Sequence, residues 1–176
     1  CCHGPAGISW HLMVIEGPEA GIREAEKAVA HFPSAHRIVE ALLSDERMSI
    51  VGDAFIEGPG GSRIEHRSGT SRAQIGNATR DKSGAMQIPF EHRHHGLDLA
   101  VESTMGPDGI TLETDVRLGI AIGADSEEAV IKTSFSSEAG STRLIGLTRG
   151  TSPGKLRAAF LSSSRRPHDH LVYRSL

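Results

Sequence analysis

The chain has 176 residues, enough for one domain with a real core and too few to expect two. One Trp, one Tyr and five Phe leave that core to Ile, Leu, Val and Ala, so burial by a partner would help it. Nineteen basic against twenty-two acidic side chains give a formal charge of -3 and no general attraction for phosphate backbones, so nucleic acid is not the expected partner.

No stretch approaches the roughly 20 apolar residues that a membrane-spanning helix needs, which leaves a barrel strand as the remaining way to cross a bilayer. The chain opens on Cys1 rather than Met, and the expectation is a processed or trimmed N-terminus. Adjacent cysteines rarely reach disulfide geometry with each other, so Cys1 and Cys2 predict no internal staple. An N-terminal Cys is also a lipid-attachment residue type. With no signal sequence beside it, a frayed end with two thiols is preferred.

Ile8, Trp10, Leu12 and Val14 alternate with Met13 and Ile15 on the other side, which predicts a strand covered on both faces and ended by Gly17-Pro18. From Glu19 to Phe32 the apolar residues Ile22, Ala25, Val29 and Phe32 fall near helical spacing. Pro33 breaks that helix and Ser34 can cap a second, with Ile38, Val39, Leu42 and Leu43 as its stripe up to Arg47. Beyond Arg47 the period changes to that of strands. Met48–Ile56 is one run, Gly58-Pro59-Gly60-Gly61 a turn, and Arg63–His66 and Ser71–Ala78 two shorter polar strands.

Met86, Ile88 and Phe90 alternate ahead of the strongest segment, His94–Ile122. There Leu97, Leu99 and Val101 point one way and Asp98 and Glu102 the other. Gly106-Pro107-Asp108-Gly109 turns the chain, and Ile110, Leu112, Val116, Leu118, Ile120 and Ile122 resume the alternation: a long hairpin with one greasy face. A second hairpin is predicted from Ile131, Thr133 and Phe135, a turn at Glu138–Ser141, and Leu144–Leu147. Leu156–Leu161 is the last strand, and the tail from Arg165 is expected to be loose. The fold class is therefore α+β, mainly antiparallel β-hairpins with two N-terminal helices.

Few residues suggest chemistry. His92 and His94 share a strand face beside His95 and are weak candidates for metal ligands. A third ligand would have to come from Cys1, Cys2 and His3 or from His168 and His170, and polar residues at the mouth of a hairpin are the ordinary explanation. No G-x-S-x-G elbow and no Cys in a structured context is present, so no catalytic residue, metal or cofactor is assigned, and the chain is not expected to be an enzyme. Glu113 and Asp115 share a polar strand face where solvation and cross-strand pairing suffice. Gly58-Pro59-Gly60-Gly61-Ser62 lacks the Lys and spacing of a phosphate loop. Arg165, Arg166 and His168 form a small basic patch of the kind that is usually just solvated.

Read in order, the elements resemble the C-terminal domain of the secretins, the subunits of outer-membrane channels in type II and III secretion and type IV pilus systems. His94-His95-Gly96-Leu97-Asp98-Leu99-Ala100-Val101-Glu102-Ser103, then Gly106-Pro107-Asp108-Gly109-Ile110-Thr111-Leu112, is similar to the family's V-G-x-x-L-x-V-x-P and D-G-x-I-x-L. Arg67–Gly76 resembles its S-G-x-x-A-x-I-x-x-G segment, Ser134–Gly146 its T-x-V-x-x-G-x-T-x-x-I-G-G hairpin, and Ala158–Pro167 its closing F-x-T-P-R strand. The likeness covers residues 8–167, leaving 1–7 as a processed or disordered start and 168–176 as a flexible tail.

The chain also departs from the family. Thr148–Gly154 stands where secretins carry a Pro- and Gly-rich stretch ending in an aromatic, Leu147 follows Gly146 in place of a second Gly, and Ser163 replaces the usual Thr-Pro dipeptide. The membrane-contacting lip is what these departures put in doubt, and a diverged or truncated member is implied. The resemblance implies a structural subunit of the bacterial envelope, in periplasm or outer membrane, that assembles with copies of itself and with other secretion-system proteins, membrane contact being a further possibility of such an assembly. The hairpin of Gly96, Leu97, Leu99, Val101, Asp108, Gly109, Ile110 and Leu112 is its expected assembly element. A monomeric periplasmic module that kept the fold without a pore is the alternative, and a small hydrolase or metal-dependent enzyme the third reading.

Overall fold

The computed structural model describes residues 7–31, 35–75, 78–88, 90–122 and 128–166. Strand β1 (Gly7–Pro18) leads into helices α1 (Glu19–Val29) and α2 (His36–Leu43). Strands β2 (Ser49–Pro59), β3 (Arg63–Ile75), β4 (Thr79–Arg80), β5 (Met86–Gln87) and β6 (Phe90–Met105) follow. Then come β7 (Thr111–Ala121), β8 (Ala129–Glu138), β9 (Thr142–Arg149) and β10 (Lys155–Arg166).

The strands build two four-stranded antiparallel sheets, β2-β1-β10-β9 (sheet A) and β3-β6-β7-β8 (sheet B), with the short pair β4-β5 apart. Strand side chains alternate between faces, and the apolar set of each sheet falls on the face turned to the other. Trp10, Leu12 and Val14 of β1 thus pack with Leu97, Leu99 and Val101 of β6 and with Leu112, Val116, Leu118 and Ile120 of β7. Each such side chain, fully buried, contributes about 1.5–3 kcal/mol. The opposite face of β1 is also apolar, at Met13 and Ile15, because the helices cover it. Ile22 and Ala25 of α1 and Val39 and Leu42 of α2 pack there against Phe160 and Ala158 of β10.

The two helices and the run of strands follow the sequence expectation, with different limits. Helix α1 stops at Val29 and α2 spans only His36–Leu43, with Ala35 at its N-cap; Ser34, the expected cap, and Phe32, the expected last apolar position of α1, lie outside the described residues. Instead of two short strands, residues 63–75 form one, β3, and β10 continues to Arg166 where a loose tail was expected. The reason is pairing. Every residue of β3 has a partner on β6, and Arg165 lies opposite Ile8 of β1. Polar side chains on such strands face water while the backbone stays in the ladder.

Strands β3 and β6 outrun the rest of sheet B. β7 pairs with β6 only from Gly96 onward, so residues 90–95 of β6 pair with β3 alone. Gly69 and Gly96 face each other where this two-stranded ribbon leaves the sandwich, with φ of 129° and 147°. A Cβ on Gly69 would lie 2.0 Å from the His95 carbonyl oxygen, and one on Gly96 2.0 Å from that of Ser68. The ladder passes this point only because neither residue has a side chain.

At the same end of the core, two charges are buried between the sheets. Glu16 of β1 and Arg157 of β10 are register partners, each 3% exposed. Arg157 donates from Nε to Glu16 Oε2 at 2.9 Å and from its terminal nitrogen to the Ile122 carbonyl at 2.9 Å, tying sheet A to the end of β7. Thr151, in the turn between β9 and β10, donates its N–H at 2.9 Å and its hydroxyl at 2.6 Å to the two carboxylate oxygens. Burial by itself pushes the Glu16 carboxyl up, but the Thr151 bonds and Arg157 outweigh it and hold Glu16 below its ordinary value.

Three outcomes are expected. Gly69→Val or Gly96→Val lowers stability in a denaturant titration by at least the about 1–3 kcal/mol of backbone strain, whereas Gly61→Ala, in an open turn, costs less. Arg157→Met strands the buried Glu16 carboxylate and costs about 3–5 kcal/mol, most of it regained when Glu16→Leu is added. Because the folded-state value of Glu16 lies below the unfolded one of 4.5, its contribution is complete above that pH and drains away as pH falls through the folded value. The acid limb of the wild-type stability curve loses that component in Glu16→Gln.

Candidate assembly interface

The hairpin singled out by its alternation forms the centre of sheet B. Leu97, Leu99, Val101 and Leu112 are buried against sheet A, and Gly96 is the bend residue paired to Gly69. At the turn, Asp108 accepts bonds from the Ile110 and Thr111 N–H groups, both at 2.9 Å, and from the Thr111 hydroxyl at 2.5 Å. The Thr111 hydroxyl and then the two N–H groups hold its carboxyl down at about 2. Gly109 offers its carbonyl to Arg165 at 3.0 Å, which fastens the turn to β10, and Ile110 projects into solvent at 58% exposure. The residues that resemble a family pattern thus form the middle of sheet B, while its edges lie one strand further out.

Those edges are β2 and β9 in sheet A and β3 and β8 in sheet B. β2 runs into β3 through the Gly60–Ser62 turn, and β8 into β9 through Ala139–Ser141, so the edges fall together in pairs on two opposite sides of the sandwich. The Gly61 N–H bonds the Ser103 carbonyl at 2.7 Å and the Gly140 N–H that of Ser163 at 3.0 Å, pinning each crossing turn to a strand of the interior. Each edge presents a row of backbone N–H and C=O groups outward, the feature that lets a strand accept another strand. Among the described residues the buried side-chain polar atoms without a partner are Ser137 Oγ on β8, Arg143 Nε and Thr148 Oγ1 on β9, and His94 Nε2. Three of the four lie on the side where β8 and β9 meet.

The free face of sheet B is charged. Arg63, Arg67, Asp98, Glu102, Asp115 and Lys132 all point away from the core, Arg67 and Asp98 pair across strands at 2.7 Å, and Asp115 accepts a bond from the Ser134 hydroxyl. Glu113 and Asp115 therefore sit among ordinary cross-strand partners.

The histidine cluster lies on the ribbon beyond the glycine bend. His94 is half-buried and pairs with Ser71 in the ladder, while the His92 side chain lies outside the described residues. Among the described residues no three His, Cys, Asp or Glu side chains converge as metal ligands would. Cys1, Cys2, His3, His168 and His170 lie outside them as well. No helix among them is long and apolar enough to cross a membrane.

Sequence reasoning missed two features of this region. Glu16 and Arg157 look like the polar ends of apolar runs, and only the spacing Val14-Ile15-Glu16 against Arg157-Ala158-Ala159 marks them as inward residues. The assignment of edges depends on strand order, which alternation does not encode.

No protein-family model matches the chain, and no curated protein does. Solved structures do. The secretin InvG of the Salmonella SPI-1 type III secretion injectisome superposes with a TM-score of 0.54 at 9% identity, over 93% of this chain and 65% of InvG. Aeromonas hydrophila ExeD gives 0.50 at 8% identity, over 92% of this chain and 49% of its own. The type II secretion system secretin GspD of E. coli K12 gives 0.50 at 11%, over 94% and 51%. The chain thus spans between about half and two thirds of the length of those secretins. Its fold, from the first strand through the helix pair and the two sheets, is that of a secretin domain.

Proposed function

We propose that this chain is a structural subunit of a secretin-like assembly in a bacterial envelope, acting in protein secretion or as a pilus channel through homo-oligomerisation rather than catalysis. The observation that carries the reading is the placement of the four open edges. Because each sheet has four antiparallel strands, its two edge strands run in opposite directions. A copy related by rotation therefore presents β2 antiparallel to β9 and β3 antiparallel to β8, and both sheets continue through one interface. Repetition around an axis closes two concentric walls with no edge left over. The closed ring also supplies neighbours for the side-chain atoms left unpartnered on β8 and β9.

The charged free face of sheet B suits contact with water or secreted protein, since Arg and Lys on a lipid-facing strand surface are unfavourable by about 2–4 kcal/mol at mid-bilayer. Membrane contact by such an assembly would come from elsewhere. Other secretion-system proteins are expected partners, because the InvG neighbour is part of a basal body with PrgH and PrgK.

Light scattering of the purified chain, with and without detergent and across a range of concentrations, tests this reading. A large species of fixed mass is expected once assembly begins. A monomer under all conditions contradicts it and favours a periplasmic module that kept the fold without the ring.

A further inference from the structure

Of the four methionines in the chain, Met48 is placed unlike the others. It stands one step before β2 and in line with Gly17, since Ser49 faces Glu16 in the β1–β2 register. Its side chain lies on the helix-bearing face of sheet A and reaches the start of α1. A Cβ on Gly17 would stand 2.0 Å from the Met48 sulfur, and one on Gly21, in the first turn of α1, 2.6 Å from its methyl carbon. The sulfur thus fills the space that any other residue at position 17 would take with its own side chain, and no slack is left on that side.

This seat ties three junctions together. Gly17 lies at the end of β1, Gly21 at the start of α1, and Met48 itself joins α2 to β2, its N–H bonded to the Asp45 carbonyl at 2.9 Å. The same side chain packs on the cluster of Ile15, Ile22, Leu156 and Phe160 that holds the helix pair to sheet A. Met48 is half-buried, which leaves it open to a solute as small as hydrogen peroxide. Met13 and Met105 also pack against core clusters, but neither is seated on a described glycine, and Met86 on β5 is 62% exposed.

We propose that Met48 is a peroxide-sensitive latch, whose oxidation to the sulfoxide frees α1 and α2 from sheet A. The oxidant is hydrogen peroxide or an alkyl hydroperoxide. A sulfur lone pair takes one peroxide oxygen, the O–O bond breaks as the S–O bond forms, and water or the alcohol leaves; sulfur is oxidised and the peroxide reduced. The sulfoxide is larger and polar, and over Gly17 it finds neither room for the added oxygen nor a partner for it in an apolar cluster. Swinging out of the notch removes the contact at the first turn of α1, and Ile15, Ala158 and Phe160 lose their cover. A dithiol-dependent sulfoxide reductase reverses the step, the dithiol becoming a disulfide and the oxygen leaving as water. The inference rests on the fold alone and stands whether or not copies assemble.

The full chain is titrated with hydrogen peroxide, oxidation at each methionine is read by peptide mass spectrometry, and amide exchange is followed in α1 and α2. Exposed Met86 reports the dose. Once Met48 carries the oxygen, exchange in the two helices is expected to rise about ten-fold or more while β6 and β7 keep their protection, and the reductase restores slow exchange. Met48→Leu, with no sulfur and a similar volume, keeps slow exchange at the same dose, although Met13, Met86 and Met105 remain oxidisable. Met48→Gln, polar and unbranched, shows the fast helix exchange without peroxide.

Three results overturn the proposal: Met48 left unoxidised at a dose that fully converts Met86, Met48 sulfoxide with helix exchange unchanged, or the same peroxide response in Met48→Leu as in wild type. Should Met48→Leu fail to fold, Met48→Gln and the reductase decide. Slow helix exchange in Met48→Gln, or fast exchange that persists in wild type after Met48 is reduced, is then the overturning result.

Discussion

Every four-stranded open sheet has two outer strands whose backbone polar groups on one side have no partner in the same sheet, and this protein is built from two such sheets. Their common core is made mostly of mid-sized aliphatic residues, with Trp10 fully buried between the sheets and Phe135 packed at the margin. The sandwich therefore holds its faces together well and leaves its sides open. The consequences for topology are strict. β2 must pass directly into β3 and β8 into β9 for the edges of both sheets to share a side, and the short turns fixed by Gly61 and Gly140 achieve this.

The remaining features serve that geometry. Helices α1 and α2 cover the outer face of sheet A over Ile15, Ala158 and Phe160, which would otherwise be a second exposed apolar surface. The Glu16–Arg157 pair sits where the core ends and the β3–β6 ribbon departs. A buried ion pair is weak as a source of stability but costly to break, so it suits a place where one arrangement has to be specified. By holding Thr151 and the Ile122 carbonyl at once it fixes the β9–β10 turn and the end of β7 against each other. The paired glycines Gly69 and Gly96 allow the ribbon to leave without interrupting the ladder.

Much of this was legible in the sequence. Strict alternation located β7, the inner part of β6, and β1 with both of its faces covered, and the Asp108-Gly109 turn fixed their hairpin. The two helices followed from helical spacing around Ile22 and Val39. What failed did so for physical reasons. Gly69 and the polar residues around it look like the end of a strand, because a sequence does not tell that Gly96 lies opposite and that both must lack a side chain. Ser162, Ser163 and Ser164 hide the continuation of β10 because their backbones, not their side chains, keep them in the sheet. Strand order, and with it the identity of the edges, is a long-range property that periodicity does not carry.

Amide hydrogen exchange on the four edge strands, read at concentrations from dilute to crowded, tests the central claim most directly. If neighbouring copies complete both sheets, the outward N–H groups of β2, β3, β8 and β9 rise with concentration to the protection of the central strands β1, β6, β7 and β10. Edge strands that exchange freely at every concentration, beside a protected centre, would contradict an assembling wall and leave a sandwich whose sides stay open.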